Sequence, residues 1–78
     1  MGPKKAEQHF IKELGANIAK VRRARGYSQD RVYLEGGFKG RGTLSKIENG
    51  KINPKAYTLF RIARTLGVPL KKLFDFDA

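Results

Sequence analysis

Cysteine is absent from this 78-residue sequence, and histidine occurs once, as His9. Without cysteine the chain can form neither a disulfide nor a thiolate metal site. One histidine near the frayed start of a predicted helix cannot complete a Ser/His/Asp or Cys/His set, and no clustered carboxylates indicate a metal site. We therefore expect no catalytic activity, no metal and no cofactor.

Long apolar segments are also missing. No run reaches the roughly 18–20 residues that a membrane-spanning helix requires. The N-terminal residues MGPKKAEQHF contain no apolar core of the kind that a secretory signal has. These absences predict a cytoplasmic protein that makes no membrane contact.

Acidic residues are few relative to basic ones. The chain has 17 Lys and Arg against 7 Asp and Glu, a formal net charge of +10. Such a charge can serve solubility alone or attract an anionic membrane surface. A membrane-binding helix, however, gathers its cations along one face of a long amphipathic segment, whereas here they occur in every predicted element. The distribution favours a folded domain that faces the phosphates of a nucleic acid.

Apolar residues recur at helical spacing, and no segment shows the sustained alternation of a strand. With 40% apolar residues, the chain is long enough for one domain. The pattern predicts an all-α fold of five short helices, at about residues 7–25, 29–35, 42–49 and 54–66, with a last turn and a half after Pro69. The predicted domain is 7–75, preceded by a flexible arm, 1–6, and followed by a tail, 76–78.

Capping residues mark two of these boundaries. Ser28 can cap the second helix through its hydroxyl, and Asn53 followed by Pro54 predicts the start of the fourth helix. Within the second helix, Val32 is expected to face inward together with either Leu34 or Tyr33.

Several short motifs occur in order between residues 14 and 74: GYSQ at 26–29, GF at 37–38, LSKIENGK at 44–51 and NP at 53–54. In this order and spacing, the sequence resembles the phage-repressor-like (Xre, Cro/cI-type) helix-turn-helix family. The resemblance implies a five-helix, lambda-repressor-like domain in which helices two and three form the DNA-binding motif. It also implies a prokaryotic, nucleoid-associated protein.

The sequence departs from the pattern of this family at two places. Tyr33 stands where the family usually has a small residue, commonly alanine, at a tight contact between the two helices. The stretch from Phe38 to Leu44 is one residue longer than the common pattern, and glycines flank Arg41 within it. We expect the longer turn to make room for the larger side chain and to lengthen the start of the recognition helix.

The resemblance implies that the third helix is the recognition helix, whose first turn enters the major groove. Groove-facing positions are occupied by Arg41, Gly42, Thr43 and Lys46. Arg41 is the predicted base reader, because a guanidinium can bind guanine O6 and N7 together, and Thr43 and Lys46 are further candidates. The alternative for Arg41 is a phosphate contact from a flexible loop.

A second group of residues is expected to contact the DNA backbone, which positions a protein without reading sequence. The resemblance implies that Gln29 contacts phosphate and braces the recognition helix, and its alternative role is that of a simple capping-turn residue. For Asn49, Lys51 and Lys55, the alternative is a solvated surface group, and for Lys39 it is a base contact. The whole group is Ser28, Gln29, Lys39, Asn49, Lys51, Lys55 and Arg22.

Arg22 has a second implied role. In related repressors the arginine at this place pairs with the glutamate of the recognition helix, which here is Glu48. The resemblance therefore implies a partly buried ion pair that ties helix one to helix three.

These features predict a sequence-specific transcriptional regulator that represses as a dimer on a palindromic operator of double-stranded DNA. A two-fold partner doubles the number of base pairs that one small module can read. No separate domain for a small-molecule ligand is expected. The predicted dimer surface consists of apolar residues near the C-terminus, for which the alternative is core packing in every case except the last: Val68, Leu70, Leu73, Phe74 and Phe76.

Other functions also fit the sequence. An antitoxin, or another component of a two-protein module, would act chiefly by binding a protein partner. A nonspecific DNA binder would use the charge of +10 without selecting a sequence. Phage-type repressors, restriction-modification controllers and antitoxins are not separated by these features. RNA is the least favoured ligand, because the sequence lacks an array of exposed aromatic residues for base stacking.

Overall fold

The computed structural model describes residues 2–77, apart from the side chain of Pro3. Within this range the chain forms four α-helices and one short 3-10 helix, and no strand. The α-helices are α1 (Pro3–Ala24), α2 (Gln29–Glu35), α3 (Gly42–Glu48) and α4 (Ala56–Leu66), and the 3-10 helix is Leu70–Phe74. The all-α class is confirmed. The expected count of five α-helices is wrong, because the last element is a 3-10 turn.

The helices enclose one apolar core. α1 contacts both α3 and the 3-10 helix, and α4 contacts the 3-10 helix and α2. Each element contributes buried apolar side chains to the core. Val32 of α2 faces inward as predicted, whereas Leu34 lies outside the core with 66% of its surface exposed. The core cluster is Leu14, Ile18, Val21, Val32, Leu44, Ile47, Leu59, Ile62, Ala63, Leu66 and Leu73.

The predicted start of the first helix is wrong by four residues. α1 begins at Pro3 rather than Glu7, and the amide of Ala6 already donates to the Gly2 carbonyl at 2.9 Å. Proline suits a first helical position because its φ is fixed near the helical value. Part of the predicted flexible arm is therefore helical. Met1 and Ala78, which belong to the predicted arm and tail, lie outside the described residues.

The predicted start of the fourth helix is also wrong. α4 begins at Ala56, with Lys55 at the N-cap position, two residues after the predicted start at Pro54. Asn53 does not cap the helix. Its amide instead donates to the Glu7 carboxylate at 3.5 Å, so this asparagine contacts α1 rather than the amides of α4.

Gly15 sets the distance between α1 and α3. A Cβ atom at this position would lie far inside van der Waals contact of the Ile47 carbonyl oxygen and 3.0 Å from that of Glu48. Only a residue without a side chain lets the two helix backbones approach so closely. The close approach of α1 and α3 therefore depends on glycine at this position.

Asn17 holds the C-terminal 3-10 helix against α1. Its buried side-chain amide donates to the carbonyl oxygens of Lys72 at 3.1 Å and Leu73 at 2.8 Å. Leu73 has none of its surface exposed. Its assignment to a dimer surface is therefore wrong, because this side chain fills the core. No helix within residues 2–77 has the length and apolar character needed to cross a membrane.

Candidate nucleic-acid interface

The start of α2 is fixed by its cap. The Ser28 hydroxyl accepts a hydrogen bond from the backbone amide of Arg31 at 3.0 Å, which satisfies one of the free amides of the first turn. The helix covers Gln29–Glu35, as the sequence predicts. Ser28 is exposed and Gln29 is half-buried, so both lie at the surface where α2 begins.

Three helices meet at the carboxylate of Glu48. Arg22 of α1 donates to Glu48 through Nε at 2.7 Å and through a second guanidinium nitrogen at 3.0 Å. Gln29 of α2 donates its side-chain amide to the same carboxylate at 2.8 Å. The Arg22 and Glu48 side chains are only 9% and 5% exposed. The geometry brings Arg22, Gln29 and Glu48 together and fixes the C-terminal end of α3.

The remaining donor contact of Arg22 is also internal. Its third guanidinium nitrogen donates to the Tyr27 carbonyl at 2.8 Å, at the turn between α1 and α2. A guanidinium presents its N–H donors in one plane, and here all three nitrogens face protein acceptors. These contacts favour a structural role for Arg22 over the predicted phosphate contact.

The outer face of α3 carries the predicted groove-facing residues. Leu44 and Ile47 point into the core, whereas Lys46 is exposed and Thr43 is half-buried. Thr43 and Lys46 are three residues apart and therefore lie on one face of the helix. A Cβ atom at Gly42 would meet no atom within 4 Å, so this face is open at its N-terminal end.

The turn between α2 and α3 is held by an arginine that the sequence did not single out. Arg61 of α4 donates to the carbonyl oxygens of Gly36 and Gly37, both at 2.7 Å. Its guanidinium also lies 4.4 Å from the centre of the Phe38 ring, which packs against the core. Nothing local in the sequence marks Arg61, because its partners are 24 and 25 residues away.

Arg41 lies at the N-cap position of α3, with its side chain 65% exposed. One guanidinium nitrogen donates to the Asp30 carboxylate of α2 at 2.9 Å. The guanidinium also lies 5.1 Å from the centre of the Tyr33 ring, within the range of a cation–π contact. Asp30 was not among the predicted site residues.

The other predicted backbone-contacting residues are exposed at both sides of α3. Lys39 lies in the turn before α3, and Asn49 and Lys51 directly follow it. The side-chain amide of Asn49 donates a long hydrogen bond of 3.4 Å to the Ser45 hydroxyl. Lys55 is exposed at the N-cap position of α4. These basic and polar residues therefore precede and follow α3 in the sequence.

An exposed ion pair on α2 provides a comparison with the buried one. Arg31 donates to Glu35, four residues later, at 2.6 Å, and the two side chains are 51% and 47% exposed. This hydrogen bond raises the pKa of Arg31 above its ordinary value, while desolvation acts in the opposite direction. Arg31 also lies 3.9 Å from the centre of the Tyr27 ring.

The predicted dimer surface is only partly exposed. Leu70 and Phe74 are 41% and 40% exposed. Phe76 is half-buried and packs against Phe10, with 5.6 Å between the ring centres. Val68 is partly buried against the core. Of the predicted dimer residues, only Leu70 and Phe74 are therefore exposed, and Phe76 is partly covered by Phe10.

No group of three or more histidine, cysteine, aspartate or glutamate residues in the described part of the chain could hold a metal ion. The lone His9 is exposed on α1. The features that stand out are instead a fixed helix pair, α2 and α3, and the cations and amides around the outer face of α3.

Comparison with known proteins finds relatives that are helix-turn-helix proteins or transcription factors. The model of the HTH_3 helix-turn-helix family matches residues 18–73. An uncharacterized HTH-type transcriptional regulator, y4dJ of Sinorhizobium fredii, is 40% identical over 57 residues, which are 73% of each protein. The hypothetical transcription factor NHTF from Neisseria has a TM-score of 0.75 at 27% identity, over 86% of this chain and 76% of its own.

A further solved structure is similar in fold. The restriction-modification controller protein C.AhdI from Aeromonas hydrophila has a TM-score of 0.76, over 85% of this chain and 97% of its own. At 24% identity this likeness concerns the fold alone. Proteins of the matched family are transcriptional regulators and typically not enzymes. The chain belongs to the HTH_3 helix-turn-helix family of DNA-binding transcriptional regulators.

Proposed function

We propose that this protein is a sequence-specific regulator that places α3 in the major groove and represses transcription from its operator. The observation that carries the proposal is the contact of Arg22 and Gln29 with Glu48. These hydrogen bonds fix α3 relative to α1 and α2, while its outer face stays open. A helix held rigidly on a basic domain can present the same side chains to every base pair it meets.

The proposed division of labour follows the position of each residue. Arg41, Thr43 and Lys46 contact base edges from the start and outer face of α3. The residues around α3 hold the phosphates on both sides of the groove, where they contribute affinity and a steep dependence on salt. These backbone residues are Ser28, Gln29, Lys39, Asn49, Lys51 and Lys55.

The operator is proposed to be a palindrome bound by a dimer. One α3 helix reads few base pairs, and a second copy related by a two-fold axis reads the same sequence about one helical turn away. Leu70 and Phe74 form the proposed contact between copies, because both are exposed apolar side chains of one 3-10 helix. We further propose that the protein acts in the cytoplasm, on the DNA of a prokaryotic nucleoid.

Selection of binding sites from random duplex DNA tests the proposal. The experiment uses near-physiological salt and excess nonspecific competitor, because the salt-dependent attraction to DNA phosphates does not by itself select a sequence. We expect an enriched motif with two-fold symmetry. Salt-sensitive binding without any enriched motif would contradict the proposal. It would favour a nonspecific binder, or the antitoxin-like alternative in which a protein partner is needed for recognition.

The dimer is tested separately, by sedimentation of the free protein and of its complex with the selected duplex. Leu70→Glu combined with Phe74→Glu should give a monomer, because the contact would bury two carboxylates without partners. Leu34→Glu is the matched control, since Leu34 is 66% exposed on α2. A dimer that survives the double substitution, with the fold intact by circular dichroism, would exclude this surface.

A further inference from the structure

Two residues of α2 contact the same guanidinium. Arg41 donates to Asp30 at 2.9 Å, and its guanidinium lies 5.1 Å from the centre of the Tyr33 ring. Asp30 and Tyr33 are three residues apart in α2, so both lie on the helix face that is turned towards the start of α3. The arginine at the N-cap position of α3 is therefore in contact with two side chains of α2.

We infer that Asp30 and Tyr33 are positioning residues that hold Arg41 in the orientation in which it reads a guanine. The inference rests on the proposed function, in which Arg41 contacts bases. It assigns to Asp30 and Tyr33 a part of the sequence specificity although neither needs to touch a base. The ligand recognised in this way is a G·C base pair at the position of the operator that faces Arg41.

The hydrogen-bonding capacity of the arginine allows this role. A guanidinium has five N–H donors, and the ion pair with Asp30 uses a single guanidinium nitrogen. The remaining donors include the pair that guanine O6 and N7 require. Asp30 can therefore keep its hydrogen bond while Arg41 binds the base.

Arg41 needs such support because its backbone gives little. It lies between Gly40 and Gly42, and a Cβ atom at Gly42 would meet nothing within 4 Å. A long side chain in such surroundings samples many orientations, and ordering it on DNA costs conformational entropy. A carboxylate on one edge of the guanidinium and a ring on its face restrict those orientations in advance, which is preorganisation.

The negative charge of Asp30 is expected to lower the affinity for DNA, although its contact with Arg41 is inferred to raise sequence specificity. A carboxylate next to the base-reading residue repels phosphates and so lowers affinity for any duplex. Removing the charge should therefore raise nonspecific binding and, at the same time, lower discrimination between base pairs. A residue with only a structural role would not change these two quantities in opposite directions.

The experiment starts from the motif selected with the natural protein. Specificity is measured as the ratio of the affinity for the selected duplex to that for the same duplex with the Arg41-facing G·C pair changed to A·T. That base pair is identified as the one at which Arg41→Ala lowers the preference for G·C over A·T, by about tenfold. We expect Asp30→Asn to lower the ratio about threefold and to raise the affinity for random duplex DNA about twofold.

Tyr33 and a charge control complete the set. Tyr33→Ala should lower the ratio about as much as Asp30→Asn does, and Tyr33→Phe should restore it, because the ring face is what contacts the guanidinium. Glu35→Gln removes one negative charge from the other exposed ion pair of α2. It should raise the affinity for random duplex DNA without changing the ratio.

A double-mutant cycle decides whether Asp30 acts through Arg41. In the Arg41→Ala background, Asp30→Asn should leave the ratio unchanged and still raise nonspecific affinity. An unchanged ratio in both Asp30→Asn and Tyr33→Ala, with Arg41→Ala still losing its preference, would overturn the inference and leave the proposed function intact. If no motif is enriched, or Arg41→Ala changes no preference, the assignment of Arg41 itself fails and the inference fails with it.

Discussion

The two ends of α3 are held in different ways. At its C-terminal end, Glu48 accepts three hydrogen bonds from Arg22 and Gln29 in a site where the ion-pair side chains are at most 9% exposed. At its N-terminal end, Arg41 makes one exposed ion pair with Asp30, and the side chains are 65% and 67% exposed. The polar contacts of the C-terminal end are therefore buried, whereas the ion pair at the N-terminal end lies at the surface.

The difference suits the proposed role of α3 in the major groove, which requires a fixed helix orientation and side chains that remain available to a base. Breaking a buried pair leaves an unpaired charge in the interior, so the C-terminal end keeps α3 in one orientation. An exposed pair contributes little to stability and exchanges easily with water. Arg41 at the N-terminal end can therefore keep its contact with Asp30 and offer its remaining donors to a base.

Gly15→Val should have the largest effect on stability, because it disrupts the packing of α1 against the C-terminal end of α3. The added side chain would push the α1 backbone away from Ile47 and Glu48, and no rotamer avoids the clash at Cβ. We expect a loss of more than about 3 kcal/mol in the free energy of unfolding, as for severe overpacking. Urea denaturation measures it. Ala16→Val, at the next and exposed position of α1, is the control for the helix propensity of valine and should cost less than about 1 kcal/mol.

Glu48→Ala should follow in size. It leaves the Arg22 guanidinium buried without a counter-charge, which should cost about 3 kcal/mol, and it frees α3, so operator binding should weaken as well. Denaturation and duplex binding are measured on the same preparation. The control is Glu35→Ala, which breaks the exposed pair with Arg31 and should change stability little. Unchanged stability and unchanged binding in Glu48→Ala would show that the pair does not hold α3.

Gly42→Ala separates stability from binding at the loosely held end. The new methyl group meets no protein atom within 4 Å, and the backbone there is not left-handed. Alanine should therefore stabilise the protein by about 0.5–1 kcal/mol through the helix and the unfolded chain. If α3 approaches the groove closely at Gly42, the same methyl group should weaken DNA binding. A variant that is more stable and binds equally well would contradict that close approach.

Asp30→Ala should have the smallest effect on stability. Its pair with Arg41 is mostly exposed, so we expect a change of about 0.5 kcal/mol or less in the free energy of unfolding. Thermal denaturation of this variant beside Glu48→Ala tests the contrast between the two ends directly. Losses of equal size in the two variants would mean that both ends of α3 are fixed alike.

Local patterns predicted much of the fold. The bounds of α2, its Ser28 cap and the inward position of Val32 follow from side-chain spacing and capping chemistry, which act over a few residues. The starts of α1 and α4 were missed for local reasons as well. Lys4 and Lys5 add no apolar periodicity to α1, and α4 begins at Ala56 with Lys55 as its N-cap, while the side-chain nitrogen of Asn53 donates to Glu7.

Contacts between distant residues were beyond the reach of such patterns. Asn17 bonds to carbonyl groups 55 and 56 residues away, and Arg61 bonds to the turn before α3. The apolar character of Leu73 was evident, but whether it faced the core or a second copy depended on the position of the 3-10 helix. For the pair of Arg22 and Glu48, the resemblance to a family supplied the partner that spacing alone could not.

The grip of Asn17 on the 3-10 helix has a consequence for how far apart two bound copies can be. Asn17 ties the segment carrying Leu70 and Phe74 to the same helix, α1, that Gly15 and Arg22 join to α3. In a dimer formed through Leu70 and Phe74, α1 would thus set the distance between the dimer contact and the α3 helix of each copy. The separation of the two half-sites would then be a property of this helix, and an operator with one base pair more or less would be rejected by geometry alone.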